Sequence, residues 1–362
     1  MNVQYGLIGT SELLKEKDPD GSYTFSGITQ KSFQALKDSS GLDSALTELS
    51  NRIHHNLSLT ENIIEFLPKI NISHYRISSS IFSLISDFSD ELDVNISDLP
   101  DSQEITTRIR QIGFLARQNN ITLSVYPDSS NTLIDEGGDG VDHTIKELNF
   151  HSWFFETAGS PSNPSNPIII KPFAQPKSES HSGAVECVKS FYENYLNLNK
   201  ETKNRIVLQN EPDGFWNPVN LFKYFHVYLN EKYDEGMTLS YSNYADQMNG
   251  GSFDGKETGE SEVNVGAFHE TWMGVVPIFL WSERDPTNPS IPADYLAAAI
   301  TDYNYNIKWE CDVRKRDKAI VKYTMPEEED KVTEEVIMTI TRNKYKKSRD
   351  AARAFNALYD KH

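Results

Sequence analysis

Arg205–Trp216, RIVLQNEPDGFW, opens with a short apolar run, Ile206, Val207 and Leu208, that breaks directly into Gln209, Asn210 and Glu211. An apolar run without alternation is the mark of a strand covered on both faces. Pro212 and Gly214 forbid further strand, so the polar trio belongs at or just past a strand's C-terminal end. The same grammar recurs at Ile168–Ile170 followed by Lys171-Pro172, at Leu123–Val125 followed by Tyr126-Pro127, and at His74–Ile77 followed by Ser78–Ser80. Buried strands that all release polar residues at one end imply a shared mouth, which in an α/β barrel carries the functional site.

Helices fill the spaces between these strands. Leu46, Leu49, Ile53, Leu57, Ile63, Ile64 and Leu67 recur at helical spacing and predict a helix over Leu42–Leu67, ended by Pro68. Further helices are expected at Ile105–Gln118, at Thr144–Ala158 with Gly159 as its cap, and at Ala184–Leu198, Val219–Glu231 and Ala293–Tyr303. Val3–Ile8, Ile121–Val125, Met237–Tyr241, Val276–Leu280 and Asn306–Cys311 read as further strands. Ser11–Ser40 reads as a polar excursion and Asn249–Glu262 as a Gly-rich surface loop. Strand and helix alternating through about eight units indicate a parallel sheet closed into a (β/α)8 TIM barrel. That barrel occupies residues 1–323, leaving 324–362 as an acidic linker and a basic C-terminal helix, Arg342–Ala357.

At 362 residues, with 38% hydrophobic and 11% aromatic side chains, the chain can bury a large core. It contains no apolar run of about 18 residues and no basic-then-apolar leader, which implies a soluble intracellular protein with no membrane partner. The two cysteines, Cys187 and Cys311, match no zinc spacing. A net charge of −18 disfavours non-specific binding to nucleic acid, so any DNA contact needs a local basic patch. Arg314–Lys318 and Arg342–Arg353 are the dense basic stretches.

Taken together, HYRISSSIF, LSVYP, IKELNFH, FYENY, RIVLQNE, Thr271-Trp272, PIFLWSE and DVRKRDKAI form an ordered set. In order and approximate spacing the set resembles the UV-damage endonucleases of the endonuclease-IV-like TIM barrels. The resemblance runs from Val3 to Tyr323, with Tyr75–Ser79 its strongest member. It implies a protein that acts on damaged double-stranded DNA and nicks it 5′ to a lesion, with Mn, Zn or Mg ions held at the barrel mouth to activate water and stabilise phosphate oxygens. By the same resemblance Tyr75, Arg76, Ser78, Ser79, Tyr126, Trp272 and Ser282 belong to the substrate surface.

The resemblance departs at the ligands. Where the family carries His after the third strand, this chain has Tyr126, and the His ending the IIIKP strand is Lys171. The metal-bridging Glu is Gln209, followed as expected by Asn210. The Asp and His after the next strand fall near Ser242 and Ala245. Ile278, Leu280 and Pro292 replace further ligands, and Asp312 alone keeps a carboxylate. Aliphatic side chains cannot ligate a metal. The expectation is therefore a degraded metal centre, with Lys171, Gln209, Asn210, Glu211 and Asp312 at the reaction position and Asp312, His151 and Asp246 as remnant metal candidates. Lys171 would supply the lost positive charge, paired with Asp312 or Glu211. Ser129 and Ser130, where the family inserts residues at the lesion, cannot wedge or stack.

Each of these residues also has a plainer role. Tyr75, Arg76, Ser78 and Ser79 can close the barrel floor, His151 can be a buried hydrogen-bonded histidine, Asp312 a helix start, and His54-His55 and the basic C-terminal helix solvated surface. Three functional readings stay open: a divergent endonuclease with ligands drawn from Asp128, Glu211, Asp246 and Asp312; a catalytically dead barrel that binds DNA or protein; and a retaining glycosidase. In the last, Asn210-Glu211-Pro212 supplies the acid, Glu283 or Glu270 the nucleophile at about 5 Å, and Trp216, Trp272 and Trp281 the sugar platform.

Overall fold

The computed structural model describes residues 3–17, 21–70, 72–85, 94–127, 131–135, 137, 140–249, 268, 271–272, 278–281 and 307–311. Its strands are β1 (Val3–Ile8), β2 (His74–Ile77), β3 (Thr122–Val125), β4 (Ile168–Ile170), β5 (Ile206–Gln209), β6 (Leu239–Ser242), β7 (Ile278–Trp281) and β8 (Ile307–Cys311). Each pairs in parallel with its sequence neighbour, and β8 pairs with β1. The result is a barrel-like α/β fold around a parallel sheet. Among the described residues, no helix is long and apolar enough to cross a membrane.

Alternation along the short strands sorts their side chains onto two faces. Tyr75, Ile77, Leu123, Val125, Ile168, Ile170, Ile206, Leu208, Leu239 and Tyr241 join the large core shared with the helices. Ile169 and Val207 point the other way and form a separate interior cluster with Trp272, against which Tyr126 packs. By the same alternation His74, Arg76, Ser124, Lys171, Gln209 and Ser240 face the interior.

Helices α1 (Glu12–Lys17), α2 (Gln30–Ser40) and α3 (Leu42–Phe66) join β1 to β2. The stripe expected on α3 is buried, Leu46 through Ile64. The polar excursion expected over Ser11–Ser40 instead contains α1 and α2. Phe33 is the buried residue of α2, so there is no periodic stripe to read; Thr29 caps its start, accepting from Ser32 N at 3.2 Å, and Gly41 at φ +89° ends it. Asn56 on α3 is fully buried and binds Ser26 O and Ser80 O, tying the excursion to the turn after β2. His54 is half-buried against Asp101 at 2.7 Å, not the open surface expected.

α4 (Ser102–Gln118) and α5 (Gly140–Thr157) cover the next two crossovers, and Gly159 at φ +71° follows α5 as expected. α6 (His181–Tyr195) and α7 (Lys200–Lys203) lead to β5. The crossover to β6 is not one regular helix: α8 (Pro218–Leu221) passes through a π segment, Phe222–Tyr228, into α9 (Leu229–Tyr233). α10 (Asn243–Met248) follows β6. The helices expected over Ala293–Tyr303 and Arg342–Ala357, and the loop expected from residue 250 to 262, lie outside the described residues.

Candidate functional site

Three rows of side chains line the interior, from the starts of β2 and β3 to the C-terminal ends of β4 and β5. Deepest is His74, its Nδ1 2.8 Å from Thr122 Oγ1 and its Nε2 3.0 Å from Ser124 Oγ. Next comes Tyr126 beside Ile169 and Val207. The Arg76 guanidinium carbon stands 5.6 Å from the Tyr126 ring centroid, and Lys171 Nζ stands 6.0 Å from it, so one ring faces two cations. The third row follows from register. Gln209 pairs with Ser240 across β5 and β6, and Lys171 is the residue that follows β4, whose last residue, Ile170, pairs with Leu208 just before Gln209. Gln209 and Ser240 are buried, and neither Gln209 Nε2 nor Ser240 Oγ has a hydrogen-bond partner among the described residues.

Asn210 faces away from this row. Its Nδ2 donates to Ser242 O at 2.9 Å and its Oδ1 accepts from Ser242 N at 2.7 Å, a clamp between the ends of β5 and β6. Glu211 is buried too. Its Oε1 accepts the backbone N–H of Phe173, and its Oε2 accepts from Gln175 Nε2 at 3.2 Å. Burial pushes the Glu211 carboxyl up to about 7, against the opposing pull of the Phe173 N–H, Lys171 and Gln175. The Lys171 charge thus draws the Glu211 carboxyl down against its burial, while the carboxyl itself is turned onto the loop after β4. Gln175 Oε1 completes that loop by accepting from Phe215 N at 2.7 Å.

Several expected residues serve packing. The Tyr75 ring is fully buried on the helix side, and its hydroxyl donates to Gly9 O at 2.9 Å. Ser78 caps the 3-10 turn Ser79–Phe82, accepting from Ser80 N at 3.2 Å. Trp272, expected against substrate, is 2% exposed; its Nε1 donates to Leu239 O at the start of β6, and its ring packs in the interior with Ile169 and Val207. Trp216, expected to stack on sugar, is fully buried and donates to Ala174 O at 2.7 Å. His151 is buried on α5, its Nε2 3.4 Å from Glu147 Oε1 one turn earlier. Asp246 on α10 accepts from the Tyr241 hydroxyl at 2.9 Å. Asp128, Ser129, Ser130, Glu270, Ser282, Glu283, Pro292 and Asp312 lie outside the described residues, as does the side chain of Trp281.

His74, Ser240 and the Phe173–Gln175 loop were not legible as part of the site. A serine in LSYS carries no motif, and only its register with Gln209 gives it a role. Among the described residues, no three His, Cys, Asp or Glu side chains gather as a metal site.

A family model described as UV-endonuclease UvdE matches residues 3–226. The UV DNA damage endonuclease of Nostoc sp. (strain PCC 7120 / SAG 25.82 / UTEX 2576) is 29% identical over 157 residues, 43% of this chain and 44% of that protein, so the match spans less than half of the relative's length. The crystal structure of SacUVDE is similar with a TM-score of 0.63 at 19% identity, over 88% of this chain and 96% of that one. A D-psicose 3-epimerase in the presence of D-fructose gives a TM-score of 0.44 at 12% identity, over 83% and 91%.

Proposed function

The chain belongs to the UV-endonuclease UvdE family, and from that premise we propose that it is a UV-damage-endonuclease-like protein. In this reading it engages damaged double-stranded DNA at the mouth of a complete (β/α)8 barrel spanning residues 1–323, with its divalent-metal centre degraded. Residues 324–362 follow as an acidic linker and a basic helix. The pairing of β8 with β1 supports barrel closure.

The observation that carries the reading is the row of Lys171, Gln209 and Ser240 behind Tyr126. A divalent ion needs imidazole nitrogen or carboxylate oxygen. Here an ammonium would repel it, and the Gln209 amide offers an unpaired N–H donor in place of a charged oxygen. The described residues do not fit such a centre, and no step of strand cleavage is assigned through one. What they can do is hold positive charge and donate hydrogen bonds at the mouth, which suits binding a phosphodiester rather than activating water.

Titration of the full chain with intact and lesion-containing duplexes at two salt concentrations tests this. Binding that prefers the lesion, weakens with salt by a slope of about −0.9 per phosphate neutralised, and leaves the strand uncut with or without manganese is expected. Efficient nicking would show an intact centre. Failure to bind either duplex would remove DNA as the partner.

A further inference from the structure

Two neighbouring strands each bury a polar atom that has no partner among the described residues. Gln209 and Ser240 are register partners on adjacent strands. They are 6% and 0% exposed, and Gln209 Nε2 and Ser240 Oγ lack partners among the described residues. Folded proteins rarely leave such groups unmatched, and each one left unmatched needs a cause. The contrast lies two rows deeper, where His74 is matched on both nitrogens by Thr122 and Ser124.

The chemistry of the row says what is missing. The Gln209 amide nitrogen can only donate, the Ser240 hydroxyl can donate, and the Lys171 ammonium, on the residue that follows β4, can only donate. Arg76 adds a second cation next to the same Tyr126 ring. Glu211, the nearby carboxyl, is held away by the Phe173 N–H and by Gln175. Two buried donors unmatched among the described residues, Gln209 Nε2 and Ser240 Oγ, together with positive charge nearby, complement an oxyanion.

We propose that Lys171, Gln209 and Ser240 form a metal-free oxyanion site that takes a phosphate group, with Gln209 Nε2 and Ser240 Oγ as its buried donors. The site deepens the DNA reading and rests on it only for the source of the oxyanion, a backbone phosphodiester or free phosphate.

The test uses the full-length protein in buffer containing a chelator, with potassium phosphate as probe and potassium chloride of equal ionic strength as control. Gln209→Leu and Ser240→Ala each remove an orphan donor without stranding another group, so both should fold and melt at or above the wild-type temperature in chloride. Phosphate is expected to raise the melting temperature of the wild type. Each variant, and Lys171→Met, should bind phosphate at least about tenfold more weakly, the loss of one hydrogen bond to a charged group. No phosphate response in the wild type, or a response unchanged in Gln209→Leu and Ser240→Ala, would overturn the site. Phosphate binding without duplex binding would uphold the site and reject the DNA reading. Lesion-selective duplex binding unaltered by Gln209→Leu would uphold that reading and reject the site.

Discussion

Glu211, two residues beyond the end of β5, takes the backbone N–H of Phe173 onto its Oε1, so a buried carboxyl clamps the loop that follows β4. Burial raises that carboxyl from an ordinary 4.5 to about 7. The native state then binds a proton that the unfolded chain releases. Its contribution to stability is fully present below pH 4.5 and is lost as pH rises through about 7. A shift of this size corresponds to about 3 kcal/mol. Urea denaturation from pH 4.5 to 8 should show stability falling across that window, and Glu211→Gln should flatten the fall. An equal slope in the variant would mean Glu211 is not the titrating group.

Phe173 itself sits at φ +63° with 47% of its surface exposed. An aromatic residue in the left-handed region is strained, whereas asparagine tolerates it. Phe173→Asn and Phe173→Ala both delete the ring, so their difference isolates the backbone. Asn should be the more stable by about 0.5–1 kcal/mol. Equal melting temperatures would show that the loop relaxes out of this conformation.

The barrel-like fold was readable because its strands are covered on both faces. Ile168–Ile170 and Ile206–Leu208 are fully apolar, and each hands over to a polar residue at the same end. What each polar residue does there was not readable. The NEP tripeptide suggested a catalytic acid, and the groups that hold its carboxyl, Phe173 N and Gln175 Nε2, lie more than thirty residues earlier. Trp272 suggested a binding platform, yet it is buried against Ile169 and Val207, its Nε1 on Leu239 O. Such contacts depend on long-range register and leave no local pattern.

Lys171 and Lys177 flank the same loop and separate charge at the site from charge in solvent. Lys171 faces Tyr126 at 6.0 Å and holds down the Glu211 carboxyl, while Lys177 is exposed. Lys171→Met should lower stability at pH 8 by about 1 kcal/mol more than Lys177→Met, the loss of a cation held over an aromatic ring. It should also move the upper end of the Glu211 window to higher pH. Identical melts for the two variants would place Lys171 in bulk solvent.

Arg205 begins the motif at the other end of β5. It is fully buried, donates to Pro161 O at 2.5 Å and Ser160 O at 2.9 Å, and lies 5.2 Å from the Phe155 ring centroid. A lysine cannot reproduce that fork. Arg205→Lys should cost about 2–3 kcal/mol in chemical denaturation and leave phosphate affinity unchanged, since the stem of a barrel serves stability. A variant as stable as the wild type would mean these bonds exchange freely with water.

The replaced ligands lead to the last prediction. Imidazole and carboxylate bind a divalent ion because they bring a lone pair or negative charge to it. At two adjacent positions of the mouth this chain offers an ammonium, Lys171, and an amide whose nitrogen donates, Gln209. Purified protein should therefore hold less than one equivalent of manganese, zinc or magnesium by elemental analysis; two or three tightly held ions per chain would refute the degraded centre. Substituting Lys171→His and Gln209→Glu together exchanges a cation and a neutral donor for two ligands in register across β4 and β5. That double variant should gain manganese or zinc and lose phosphate affinity. A gain of metal without the loss would separate the two sites; a loss without the gain would show that the remaining ligands are absent as well.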